Sequence, residues 1–119
     1  MSLNKVQLIG FVGTDPEVQI IGLGVKNAKF RLATNNFSRK DDKETESIAV
    51  WHNIECWRNT AEYIQNSVKK GDKIYIEGKL HYRTDNSCTP KRTFTSIIAS
   101  EIIMLHRKAD NYTNREEAQ

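Results

Sequence analysis

The sequence predicts an all-β fold with one short helix: a five-stranded Greek-key barrel whose helix lies between strands 3 and 4. Three observations carry this expectation. Five stretches alternate apolar and polar residues, turn residues separate them, and one segment has helical periodicity between the third and fourth stretches. At 119 residues and 13.7 kDa the chain is the size of one domain. That length buries a moderate core, so stability requires neither a disulfide nor a metal.

The first strand runs from Leu3 to Val12, with Val6, Leu8 and Val12 inward and Lys5 and Gln7 outward. Gly10 and Gly13 permit bending or close backbone approach. Thr14-Asp15-Pro16-Glu17 is a turn, after which Val18 to Ile21 resumes the strand until Gly22-Leu23-Gly24 breaks it. The second strand, Val25 to Phe37, turns Ala28, Phe30 and Leu32 inward. Its other face carries Lys29, Arg31, Ala33, Asn35 and Phe37. Ser38 to Ser47 is dense in charge and reads as a mobile loop.

The third strand, Ile48 to Arg58, holds both tryptophans. Alternation puts Val50, His52, Ile54, Cys56 and Arg58 on one face and Trp51, Asn53, Glu55 and Trp57 on the other. The first set supplies the aliphatic residues of a core. Large flat side chains on a polar face forfeit burial energy. Stacking on unpaired nucleic-acid bases gives one reason for that placement, and an inverted assignment with both tryptophans in the core is the other. This strand alone leaves the two open.

Asn59 is suited to cap a helix over Thr60 to Val68, with Ala61, Ile64 and Val68 on the buried side. Lys69-Lys70 suits the last turn, and Gly71 stops it. The fourth strand, Asp72 to Thr84, has Ile74, Ile76 and Leu80 inward and Lys73, Tyr75, Glu77, Lys79, His81 and Arg83 outward. A loop covers Asp85 to Arg92. The fifth strand, Thr93 to His106, is apolar on both faces in its later half, as where a barrel closes or a subunit packs. Arg107 to Gln119 reads as a short flexible tail, which leaves 1–106 as the folded domain. Five strands with a helix after the third is the order of the OB-fold.

Three successive strands repeat one division, aliphatic on one side and basic-aromatic on the other. That agreement favours the outward tryptophans. A groove for single-stranded nucleic acid needs this mixture, because cations neutralise phosphates and aromatic faces stack bases. Each lysine or arginine alone is only a solvated surface charge; the pattern carries the reading. Net charge of +3 and a pI of about 8.9 permit an anionic partner without demanding one.

Other chemistries find little support. Cys56, on the core face, and Cys88, in a loop, read as free thiols of a reducing compartment. No C-x-x-C or H-x-x-x-H spacing suggests a metal, and no cofactor is implied. No nucleophile elbow or phosphate loop appears, and His52 lacks an evident catalytic partner. A mean hydropathy of −0.63 and the lack of a long apolar run give no membrane segment or secretion signal.

Asn4 to Gly10 followed by Gly13 to Val18, Phe30-Arg31-Leu32-Ala33-Thr34-Asn35, Trp51-His52-Asn53-Ile54 with Trp57, Ala61-Glu62-Tyr63, and Val68 to Leu80 stand in an order and spacing that resembles bacterial single-stranded DNA-binding proteins. The resemblance spans roughly residues 3 to 106. It implies an OB-fold that assembles as a homotetramer in the bacterial cytoplasm, associated with the nucleoid. It further implies sequence-tolerant binding of single-stranded DNA in replication, recombination and repair, without catalysis. The expected DNA contacts are Trp51, Trp57, Phe37, Lys5, Lys29, Arg31, Lys73, Lys79 and Arg83. His52 matches a position of subunit contact.

Three departures stand out. Ser38 occupies the place of a frequent family aromatic, with Phe37 just before it. The run Leu80 to Asp85 lacks the aromatic that often closes the fourth strand. The sequence stops at Arg115-Glu116-Glu117-Ala118-Gln119 without the family's acidic tip, which puts recruitment of replication and repair proteins in doubt. Two other readings compete: a dimeric primosomal-type replication-restart accessory protein, favoured by the short C-terminus, and an OB-fold nuclease, which would need clustered carboxylates.

Overall fold

The structure, a computed structural model, describes residues 1–40, 44–87 and 89–108. Its elements are β1 (Val6–Val12), β2 (Glu17–Ile21), β3 (Val25–Lys40), β4 (Glu44–Trp57), α1 (Arg58–Ser67), β5 (Lys73–Asp85) and β6 (Arg92–His106). The sheet runs β1-β5-β6-β4-β3-β2, and an added β1–β3 pairing closes it on itself. The β1 and β2 segments are the two halves of the expected first strand, bent at Thr14–Pro16. The five-stranded barrel with its helix after the third strand is therefore present.

Closure depends on a close approach at Gly10. A Cβ there would overlap the carbonyl oxygen of Ala33 and lie 3.1 Å from its carbon. Without one, β1 stays paired with β5 as far as Phe11 and also reaches β3 at Phe11 and Val12. The last closure is the parallel pairing of β4 with β6 at Ile54–Ile97.

The core follows from alternation. Ala28, Phe30 and Leu32 of β3, Ile54 and Cys56 of β4 and Ile74 and Ile76 of β5 are buried, as are Ala61 and Ile64 of α1. Each large aliphatic side chain removed from water contributes roughly 1.5–3 kcal/mol. Ile97 and Ala99 complete the interior from β6.

Four local expectations are corrected. Ser38 to Ser47 is not simply a loop, because the β3–β4 pairing continues to Lys40 opposite Glu44. Backbone pairing between strands needs no apolar pattern, so charge density does not exclude strand. Residues 41–43 of that expected loop, Cys88, and 109–119 of the expected tail lie outside the described residues. Asn59 does not cap the helix: the chain passes from β4 through Trp57 and a left-handed Arg58 (φ 57°), with no side-chain cap. Lys69-Lys70 lies past the helix end instead of in its last turn. Their amides bond the Asp72 and Asp15 carboxylates at 2.9 and 3.0 Å, which anchors this turn to the barrel. Leu80 is 36% exposed and not inward. Leu80 pairs with Ile97, the last β6 residue before the closing contact with β4 ends, and beyond it β5 and β6 pair with each other as a two-stranded ribbon, so the alternation runs out of core there.

Arg107 and Lys108, expected to begin the tail, are held to the domain. Arg107 Nη1 donates to the Ser67 carbonyl at 3.4 Å, and the Lys108 amide donates to Asp72 Oδ1 at 3.1 Å.

Candidate nucleic-acid interface

The outward faces of β3 and β4 form one surface, set by their register. Lys29 stands opposite Glu55, Arg31 opposite Asn53, Ala33 opposite Trp51 and Phe37 opposite Ser47. Trp51 is 47% exposed, while its sequence neighbour His52 is half-buried on the other side. The alternation that left the tryptophans open is thus resolved on the solvent side. Trp51 and Trp57 are six residues apart on one strand, about 20 Å at ~3.3 Å per residue. Phe37, 72% exposed, continues the line along the β3–β4 ribbon.

Arg31 joins the two ends. Its guanidinium carbon lies 4.9 Å from the centroid of the Trp51 ring, a cation–π distance. Its side chain also lines a groove of about 550 Å³. Lys29, Asn53, Glu55 and Trp57 form the floor with Arg31. Thr14, Glu17 and Ile21 stand on one side, and His81, Arg83, Phe94, Thr95 and Ser96 on the other. The second wall is the protruding β5–β6 ribbon, where Arg83 pairs with Phe94 across the strands. Arg83 lies 5.7 Å from that ring's centroid. Planar rings at Trp57 and Phe94 and cations at Lys29, Arg31 and Arg83 therefore face one channel. The acidic members are Glu17 and Glu55. One oxygen of Glu55 is engaged at 3.0 Å by the amide of buried Asn27, which fixes the carboxylate beside Trp57.

Of the expected contact residues, Trp57, Lys29, Arg31 and Arg83 line the groove, with Trp51 and Phe37 along its extension. Lys5, Lys73 and Lys79 are not brought into it. Lys5 bonds Glu77 at 2.8 Å, which holds its ammonium above the ordinary lysine range and the Glu77 carboxyl below its own. Lys73 lies over the Phe11 ring at 5.8 Å. Lys79 is exposed at the base of the ribbon, opposite Ile98. The cause is curvature, because strands on different sides of a barrel point their outer faces in different directions.

Thr14, Glu17, Ile21 and Phe94 were not anticipated. Phe94 had a readable signal, an aromatic in polar surroundings directly across a hairpin from Arg83. The others depend on where the turn after β1 folds back, which periodicity does not encode. His52 Nε2 lies 2.9 Å from Thr34 Oγ1. Cys56 is buried in the core, which pushes its thiol up to about 12. Among the described residues there is no cluster of three metal-ligating side chains, and no helix is long and apolar enough to cross a membrane.

This geometry meets its parallels in known proteins. Residues 3–105 match the model of the single-strand binding protein family. The chain belongs to that family. It is 38% identical over 113 residues to single-stranded DNA-binding protein 1 of Xylella fastidiosa, covering 92% of this chain and 82% of that protein. It is also 38% identical over 113 residues to the mitochondrial single-stranded DNA-binding protein of Bos taurus, covering 87% and 76%. Among solved structures, a Plasmodium falciparum SSB in complex with ssDNA matches with a TM-score of 0.80 at 37% identity, covering 88% of this chain and 96% of that one. The family assignment and the OB-fold expected from the motifs both hold.

Proposed function

We propose that this protein binds and protects single-stranded DNA with little sequence preference, in replication, recombination and repair, and that it does so without catalysis. The observation that carries the reading is the groove itself: Trp57 and Phe94 beside Lys29, Arg31 and Arg83, leading to the exposed ring of Trp51. Stacking on such rings tolerates any base, because every base has a π-face. Duplex DNA keeps its bases stacked inward and cannot offer them to the rings. The strand follows Trp57, Arg31, Trp51 and then Phe37. In this reading Lys5, Lys73 and Lys79 lie off the path and contribute little.

The same reading makes the protein a homo-oligomer, a homotetramer as in the family resemblance, acting on DNA in a bacterial cytoplasm at the nucleoid. One support is the outer surface of β1, β5 and β6. There Ile9, Tyr75 and Ile103 are in register across three strands, with Phe11 and Leu105 beside them. Ile9 is 56% and Ile103 44% exposed, which is costly for a lone protomer. His52 and Val50, on one side of β4, are both only half-buried, and in this reading His52 serves a second subunit contact.

Electrophoretic mobility with single- and double-stranded oligonucleotides of one sequence tests the function. The single strand is retained and the duplex is not. Equal retention of both, or of neither at low salt, overturns the reading.

A further inference from the structure

We infer that Gly13 is a positioning residue for DNA binding: it holds open the space that the Trp51 ring occupies. The inference rests on the proposed function, since it assigns Trp51 to base stacking. A Cβ built at Gly13 would overlap Cζ3 of Trp51 and stand 2.7 Å from Cη2 and 3.1 Å from Cε3. The benzo ring of the indole therefore fills the volume where any other residue would place its first side-chain atom. Gly13 is not in a left-handed conformation, so the requirement is space and not backbone freedom.

The backbone cannot readily yield in place of the ring. The Gly13 amide donates to the Arg31 carbonyl at 2.7 Å, and the Arg31 amide donates to Thr14 Oγ1 at 3.2 Å. These bonds pin the 13–14 segment to the strand whose arginine covers the same indole at 4.9 Å. A methyl group at position 13 therefore displaces the ring, because the ring is the half-exposed partner and the backbone is bonded. Displacement moves the indole away from the Arg31 guanidinium and off the line to Trp57. The three atoms nearest a Cβ at Gly13 all belong to the half-exposed Trp51 ring, so the cost falls on binding more than on folding.

The test is a double-mutant cycle on the full chain with oligothymidine, using Gly13→Ala, Trp51→Ala and the pair. Gly13→Ala weakens binding by about 5- to 150-fold, the range expected for one lost stacking contact. In the Trp51→Ala background it adds less than about twofold, because its target is gone. Binding by Gly13→Ala equal to the unaltered protein overturns the inference while leaving the function intact. So does an equal loss in both backgrounds, which makes Gly13 act independently of Trp51. Should Gly13→Ala alone fail to fold, the paired variant, with the space vacated, decides: binding equal to Trp51→Ala supports the inference, and weaker binding overturns it. A readout without DNA separates this inference from the function. In a Trp57→Phe background, Gly13→Ala increases acrylamide quenching of Trp51 emission, and unchanged quenching overturns the inference whether or not DNA binds.

Discussion

Replacing Arg31 with methionine removes a charge from the middle of the groove while keeping most of the aliphatic stem. Each cation that neutralises a phosphate contributes about 0.7 to the slope of log affinity against log salt for a single strand. The groove presents Lys29, Arg31 and Arg83, so these three together account for a slope of about 2. Arg31→Met lowers the measured slope by about 0.7. It also loses the contact with Trp51 at 4.9 Å, roughly 0.5–1 kcal/mol for an exposed cation–π pair. Arg31→Lys keeps the slope and loses only the planar contact. The assay is titration with oligothymidine across about a fourfold range of salt, over which a difference of 0.7 changes affinity almost threefold. Lys73→Met is the internal control, since Lys73 lies over Phe11 outside the groove, and it leaves the slope unchanged. A slope unaffected by Arg31→Met, or lowered equally by Lys73→Met, refutes the proposed path of the strand.

Three further outcomes are expected. Trp57→Ala weakens binding by about 1–3 kcal/mol with little change in the urea midpoint, whereas Ile54→Ala, at a fully buried site, costs about 2–5 kcal/mol of stability. Cys56, with its thiol raised to about 12 by burial, resists alkylation in the native protein and reacts on unfolding. Because the folded value lies above the unfolded one, its contribution to stability is intact below about pH 9 and is lost as pH rises towards 12; alkaline denaturation that is identical in Cys56→Ala contradicts this. Ile103→Glu lowers the subunit count in light scattering while the barrel still folds, and an unchanged count removes this surface from the assembly.

Sequence and structure agree most where one periodicity meets one physical demand. In β3 and β4 the pleat puts Phe30, Leu32, Ile54 and Cys56 on one side and Trp51 on the other, and the agreement of three strands, not one strand's count, gives which side is the core. Counting fails where the strand has no core beneath it. Leu80 keeps the parity of Ile74 and Ile76, yet it stands where the barrel ends and the β5–β6 ribbon begins. The pairing of Lys40 with Glu44 is strand without any apolar pattern, and backbone pairing needs none. At the site, parity gives a residue's side of the sheet but not its direction in space. Lys5, Lys73 and Arg83 all read as outward, but barrel curvature sends the first two to the surface that carries Ile9 and Ile103. The ribbon brings Arg83 to the groove that Trp57 also lines. Glu17 and Ile21 enter the groove through the fold of one turn, and no local pattern announces it.

The central claim is that the indole rings of this groove receive bases. Trp57→Phe leaves Trp51 as the sole tryptophan and keeps an aromatic ring at 57. Titrating this variant with oligothymidine should quench the emission of Trp51 saturably, with the midpoint moving to higher DNA concentration as salt is raised. Emission that stays constant while DNA is demonstrably bound would contradict the account.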